Sequence, residues 1–106
     1  FSNMKIRLTS YSLMSYYLGK PNFANPKSWV IEGSNDARMW IELDKQVENP
    51  DLNGKSKIKN FPIKEKFPAF KFIRMKQIGP NWAGMHQLTL SGIEFFGHLI
   101  EKEVED

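Results

Sequence analysis

Apolar and polar residues alternate along this chain with the period of β-strands. Met4, Ile6 and Leu8 alternate with Lys5, Arg7 and Thr9, so one face of the segment is buried and the other solvated. The apolar phase then flips to Tyr11 and Leu13, which predicts a bulge or bend near Thr9 and Ser10. Residues 15–28 carry two Pro, one Gly and two Asn and predict a long loop that holds several aromatics. Residues 29–32 read as a strand, 33–36 as a turn and 40–43 as the returning strand. Asn49-Pro50-Asp51 and Asn53-Gly54 place turns in a second loop over 45–57. Ile58, Phe61 and Ile63 fit a short strand that Pro62 moves to a sheet edge. Residues 70–75 are dense in β-formers, 79–84 form a third loop, and 88–91 and 93–96 close the set as strands. Seven or eight short strands at regular spacing, with no long helix, predict an all-β sandwich.

Composition narrows the class. The 106 residues are enough for one domain with its own core, and 41% hydrophobic residues exclude wholesale disorder. The domain is expected over 1–100, followed by an acidic linker or tail over 101–106 with four acids and one Lys. The absence of cysteine excludes disulfides, thiolate metal sites and a Cys nucleophile. No apolar run approaches the ~20 residues of a membrane span. The first residue is Phe1 and not Met, so the chain reads as a piece of something longer.

Eight of the fifteen basic residues fall between Lys55 and Lys76, where Glu65 is the only acid. This region is either a patch for an anionic surface or the solvated face of strands whose lysines guard an edge.

Catalytic constellations are thin. Neither His86 nor His98 has a metal-ligand partner at the right spacing, and His98 follows the last expected strand. Seven of the eight acids before the tail fall in turns or on solvated strand faces. The eighth, Glu94, points outward or toward Arg74. No phosphate-cradling Gly-rich loop opens a helix. The expectation is no enzyme, no cofactor and no metal. Ser34, Asn35 and Asp36 read as a side-chain-capped turn, and Trp29 and Trp40 as core. Trp82 lies in the third loop, where it either plugs the end of the sandwich or stacks on a ligand.

Several motifs occur in a distinctive order: Trp29-Val-Ile-Glu-Gly-Ser-Asn-Asp36, Trp40, Leu52-Asn53-Gly54, Phe70-Lys-Phe-Ile-Arg74, Gly79-Pro-Asn-Trp82, and Leu88-x-Leu-Ser-x-Ile-Glu-Phe-Phe-Gly97. This order resembles the discoidin domain, also called the coagulation factor V/VIII C-terminal-type domain, a jelly roll of the galactose-binding-like superfold. More narrowly, it looks like the cysteine-free version found in intracellular, often multidomain proteins, including BTB-domain proteins. The resemblance covers residues 4–97. Ala37 stands where the family usually has Gly, which implies a different turn, and Lys71 replaces a common Arg. The family's N-terminal strands have no counterpart here, so the resemblance implies a sandwich with an open sheet edge and a marginal or oligomeric isolated chain.

The implied function is binding without catalysis, in a larger intracellular, cytoplasmic scaffold or adaptor. The most favoured partner is a protein, held by the loop that carries Tyr16, Tyr17, Leu18, Lys20, Asn22 and Phe23, with Trp82 a further candidate contact. Tyr17 and Phe23 could equally fold back over the core. Carbohydrate held on loop aromatics, and an anionic surface bound through the region from Lys55 to Lys76, are the alternatives; nucleic acid is not favoured.

Overall fold

The computed structural model describes residues 4–15, 25–53 and 58–101. Six strands follow one another: β1 (Met4–Met14), β2 (Trp29–Ser34), β3 (Ile41–Gln46), β4 (Ile58–Pro62), β5 (Phe72–Gln77) and β6 (Gly92–Glu101). They form two three-stranded antiparallel sheets, ordered β4-β1-β6 and β3-β2-β5. Leu8, Tyr11, Leu13 and Phe61 of the first sheet meet Trp29, Ile31 and Leu43 of the second in one buried cluster, closed by Phe70 and Leu52. The protein is thus an all-β sandwich, and among the described residues the only helical turn is the 3-10 turn Pro50–Leu52.

The phase flip in β1 is a bulge. Its register against β6 shifts between Leu8 and Ser10, and the unopposed Thr9 donates its hydroxyl to the Phe96 carbonyl at 3.1 Å. The extra residue turns Tyr11 and Leu13 to the face that Leu8 already occupies, so all three are buried. Gly97 lies opposite Leu8 at this point, and a Cβ there would stand 2.1 Å from the Arg7 carbonyl oxygen. Contact with backbone is what requires glycine here. Beyond β4, the other side of β1 is held by Ile63, whose N–H donates to Thr9, and by Phe70, which exchanges two 2.8 Å bonds with Ile6. As Pro62 predicts, β4 is an edge strand.

A polar link crosses the core. The Trp29 indole donates to the Tyr11 hydroxyl at 2.9 Å, and that hydroxyl donates to Asp44 at 2.5 Å. Gln46 also donates to Asp44, at 3.1 Å. Asp44 is therefore half-buried against Tyr11 and not on a solvated face, because a register shift in the β2–β3 pairing carries it over the core.

Other expectations are corrected as well. Residues 88–91 form no strand; just ahead of them the Gln77 and Asn81 amides bond the His86 and Gln87 carbonyls. Six strands therefore stand, among the described residues, where seven or eight were expected. Trp40 is half-buried outside the core, with the Arg74 guanidinium 3.8 Å from its ring centroid. Of the two directions expected for Glu94, the outward one holds, since it is exposed in the other sheet, and Arg74 instead bonds Glu32, its register partner, at 2.8 Å. His98 falls inside β6, which runs on to Glu101.

The β2–β3 turn is capped by side chains, as its sequence predicts. The Ser34 hydroxyl accepts from the Asp36 and Ala37 N–H groups, and Asp36 accepts from Arg38 at 2.8 Å and Met39 at 2.9 Å. Those bonds, Met39 first and then Arg38, hold the Asp36 carboxyl below its usual pKa. Ala37 adopts φ +61°, a left-handed conformation that strains a residue with a Cβ. Ala37→Gly is expected to stabilise the chain by about 0.5–1 kcal/mol after glycine's own entropy cost. Thermal unfolding followed by circular dichroism should show Tm rising by about 2–6 °C; a fall would contradict the strain.

Candidate functional site

Two surfaces stand out, one at an end of the sandwich and one along its side. At the end, Met14, Ile58 and Gly92 terminate the strands of one sheet in register, and Trp29, Gln46 and Gln77 those of the other. The described residues 25–28, 47–53 and 78–91 meet there, Asn49 donating to the Lys27 carbonyl at 2.8 Å and Ser91 to that of Met14 at 2.9 Å. Tyr16, Tyr17, Leu18, Lys20, Asn22 and Phe23, the expected binding residues, lie outside the described residues. The rest of their connection packs against the third loop. Trp82 donates its backbone N–H to the Asn25 carbonyl at 3.0 Å, and Ile78 donates to Ser28 at 3.0 Å.

Asn81 shapes that third loop. It is 2% exposed, its side-chain oxygen accepts from Ala83 and Met85 at 3.0 Å, and its amide donates to Gln87. Gly84, at φ +81°, completes the turn. Trp82 is thereby fixed half-buried, with the Lys27 ammonium 4.9 Å from its ring centroid and its indole nitrogen shielded from water without a partner among the described residues. Sequence reasoning singled out Trp82 but missed Lys27 and Asn81. The Asn-Trp dipeptide ahead of Gly84 was a signal for Asn81, because asparagine readily caps its own turn.

The side surface is β6. It pairs with β1 along one side, and no strand among the described residues pairs with the other. Ile93, Phe95, Gly97 and Leu99 lie opposite Leu13, Tyr11, Leu8 and Ile6, on the inward face of the sheet. Inward positions of a sandwich are normally covered, yet Leu99 is 70% exposed and Ile93 39% exposed. Phe96, on the outward face, is 43% exposed. The result is a ten-residue strand with one edge unpaired among the described residues and apolar side chains on both of its faces.

Of the basic region, Lys55 and Lys57 lie outside the described residues, whereas Lys59, Lys64, Lys66, Lys71 and Lys76 are exposed. Both histidines are exposed. Among the described residues no group of His, Asp or Glu is placed to hold a metal, and no helix is long and apolar enough to cross a membrane. No family model and no curated protein matches this chain.

Proposed function

We propose that the chain is a non-catalytic binding module whose partner is a protein, taken up as an extended strand along β6. The observation that carries this reading is the edge of β6 that no described strand pairs with, with Leu99 and Ile93 exposed on the face that belongs to the core. An extended segment with alternating apolar residues would satisfy the free backbone groups and cover those side chains together. The ordered motifs that resemble a discoidin jelly roll support a binding role in a larger scaffold. The lack of cysteine and of an Asn-x-Ser/Thr sequon supports an intracellular setting. Carbohydrate stacking on Trp82 has weaker support, because that ring is half-buried and already carries the Lys27 ammonium.

Panning a random peptide library on the immobilised chain tests the proposal. Enriched peptides should alternate apolar and polar residues and avoid central proline. Leu99→Lys should weaken them by about tenfold or more, the loss of one buried leucine contact, and Trp82→Ala should leave them unchanged. Binders sensitive to Trp82→Ala and indifferent to Leu99→Lys would place the site at the loop end instead.

A further inference from the structure

At the bulge in β1 the connection from β4 to β5 runs beside the strand, bonded to it at Thr9 and Ile6, and leaves a groove of about 380 Å³, within the range of roughly 300–1,000 Å³ typical of small-ligand sites. Its polar wall is Arg7, Lys64, Lys66 and His98, with Glu65 the single carboxylate. Leu8, Ile63 and Phe67 supply the apolar part. Arg7 and His98 are register partners across β1 and β6 and therefore share a face. Lys64 and Lys66 are exposed and free to reach across the opening.

Arg7 is the unusual member. It is half-buried, its Nε is shut off from water, and that nitrogen has no hydrogen-bond partner among the described residues. Glu65, which also lines the groove, forms no ion pair with it among the described residues. A permanently charged guanidinium with a shielded, unmatched donor is an unfavourable arrangement by itself. An anion with several acceptor oxygens would resolve it, and the planar fork of arginine suits a tetrahedral oxyanion. Three fixed positive charges against one negative charge match a dianion better than a single carboxylate.

We propose that this groove binds a phosphomonoester group, with Arg7 as its anchor and Lys64 and Lys66 neutralising the second charge. The site is independent of strand uptake by β6. The same phosphomonoester could come from a soluble metabolite or from a lipid headgroup.

The test is an amide chemical-shift titration of the full chain with glycerol 2-phosphate, with sodium chloride at matched ionic strength as the control. A parallel arm measures cosedimentation with phosphatidylcholine vesicles containing phosphatidylinositol 4-phosphate. Saturable shifts at Arg7, Thr9, residues 64–67 and His98 are expected. Affinity should fall about tenfold or more in Arg7→Gln and in the double variant Lys64→Gln/Lys66→Gln, since each removes charge-assisted hydrogen bonds. Lys59→Gln/Lys76→Gln, outside the groove, and Leu99→Lys should bind as the parent does. Saturation by the soluble ester supports a soluble ligand, and binding to the vesicles alone supports a headgroup. Chloride reproducing the shifts, equal losses in Lys59→Gln/Lys76→Gln, or no binding in either arm would overturn the proposal.

Discussion

Gly97→Ala is expected to lower stability by about 3 kcal/mol or more, a large part of the roughly 5–15 kcal/mol that holds a small domain folded. The added Cβ would lie 2.1 Å from the Arg7 carbonyl oxygen, 2.9 Å from the Arg7 carbonyl carbon and 3.1 Å from the Leu8 Cα. All three are backbone atoms of the neighbouring strand, so no rotamer change relieves the contact. β6 would have to separate from β1 at the bulge and give up ladder bonds on both sides of it. Gly33→Ala should cost less, about 1–3 kcal/mol, because its Cβ meets the Phe70 ring at 2.6 and 2.7 Å and a side chain can shift. Gly84→Ala has open space and meets only the cost of its φ of +81°, about 1–2 kcal/mol. Urea unfolding of the three variants should rank them in that order. A Gly97→Ala midpoint equal to that of the parent would show that the two strands do not approach so closely.

Tyr11→Phe is the second large effect, at about 2–4 kcal/mol. Phenylalanine fills the same space but leaves the buried Trp29 indole N–H without a partner, at about 1–3 kcal/mol, and removes the charge-assisted bond to Asp44, which keeps only the one from Gln46. The substitution also predicts a change in pH dependence. Burial first, and then the hydrogen bond to Asp44, raises the Tyr11 pKa above its ordinary value of 10.0. The folded chain keeps the phenolic proton after the unfolded chain has lost it. The stability this confers is complete below about pH 10 and declines as pH rises above it. Unfolding free energies measured from pH 8 to pH 11 should fall at the alkaline end for the parent. The fall should be smaller in Tyr11→Phe, with lysine titration common to both; parallel curves would remove Tyr11 as the cause.

What could be read from the sequence follows from the range of the forces involved. Local alternation marks the strands, and the shift from Leu8 to Tyr11 marks the bulge, because side-chain direction in a strand depends only on counting residues. The serine and aspartate of the β2–β3 turn are similarly legible, since their bonds span two or three residues. The positive φ of Ala37 is not legible locally, because an alanine carries no preference for that conformation. Trp40 misleads because a tryptophan beside a strand fits the core and a guanidinium stack equally well, and Arg74 is far away in sequence. Leu88 and Leu90 alternate as a strand would, yet the side chains of Gln77 and Asn81 capture the nearby carbonyls.

The candidate sites divide in the same way. Trp82 stood out as a loop aromatic, whereas the expected contact residues from Tyr16 to Phe23 lie outside the described residues. The exposure of Leu99 and the isolation of the Arg7 Nε depend on which strand ends a sheet and on where the β4–β5 connection runs beside β1. Neither is a property of any short segment.

The most direct test of strand uptake is amide hydrogen exchange on the chain with and without a peptide selected for binding. The account predicts that the β6 amides facing away from β1 slow by about tenfold or more, consistent with new backbone hydrogen bonds, while residues 78–91 keep their rates. Protection confined to 78–91, with β6 exchanging as in the free chain, would contradict it.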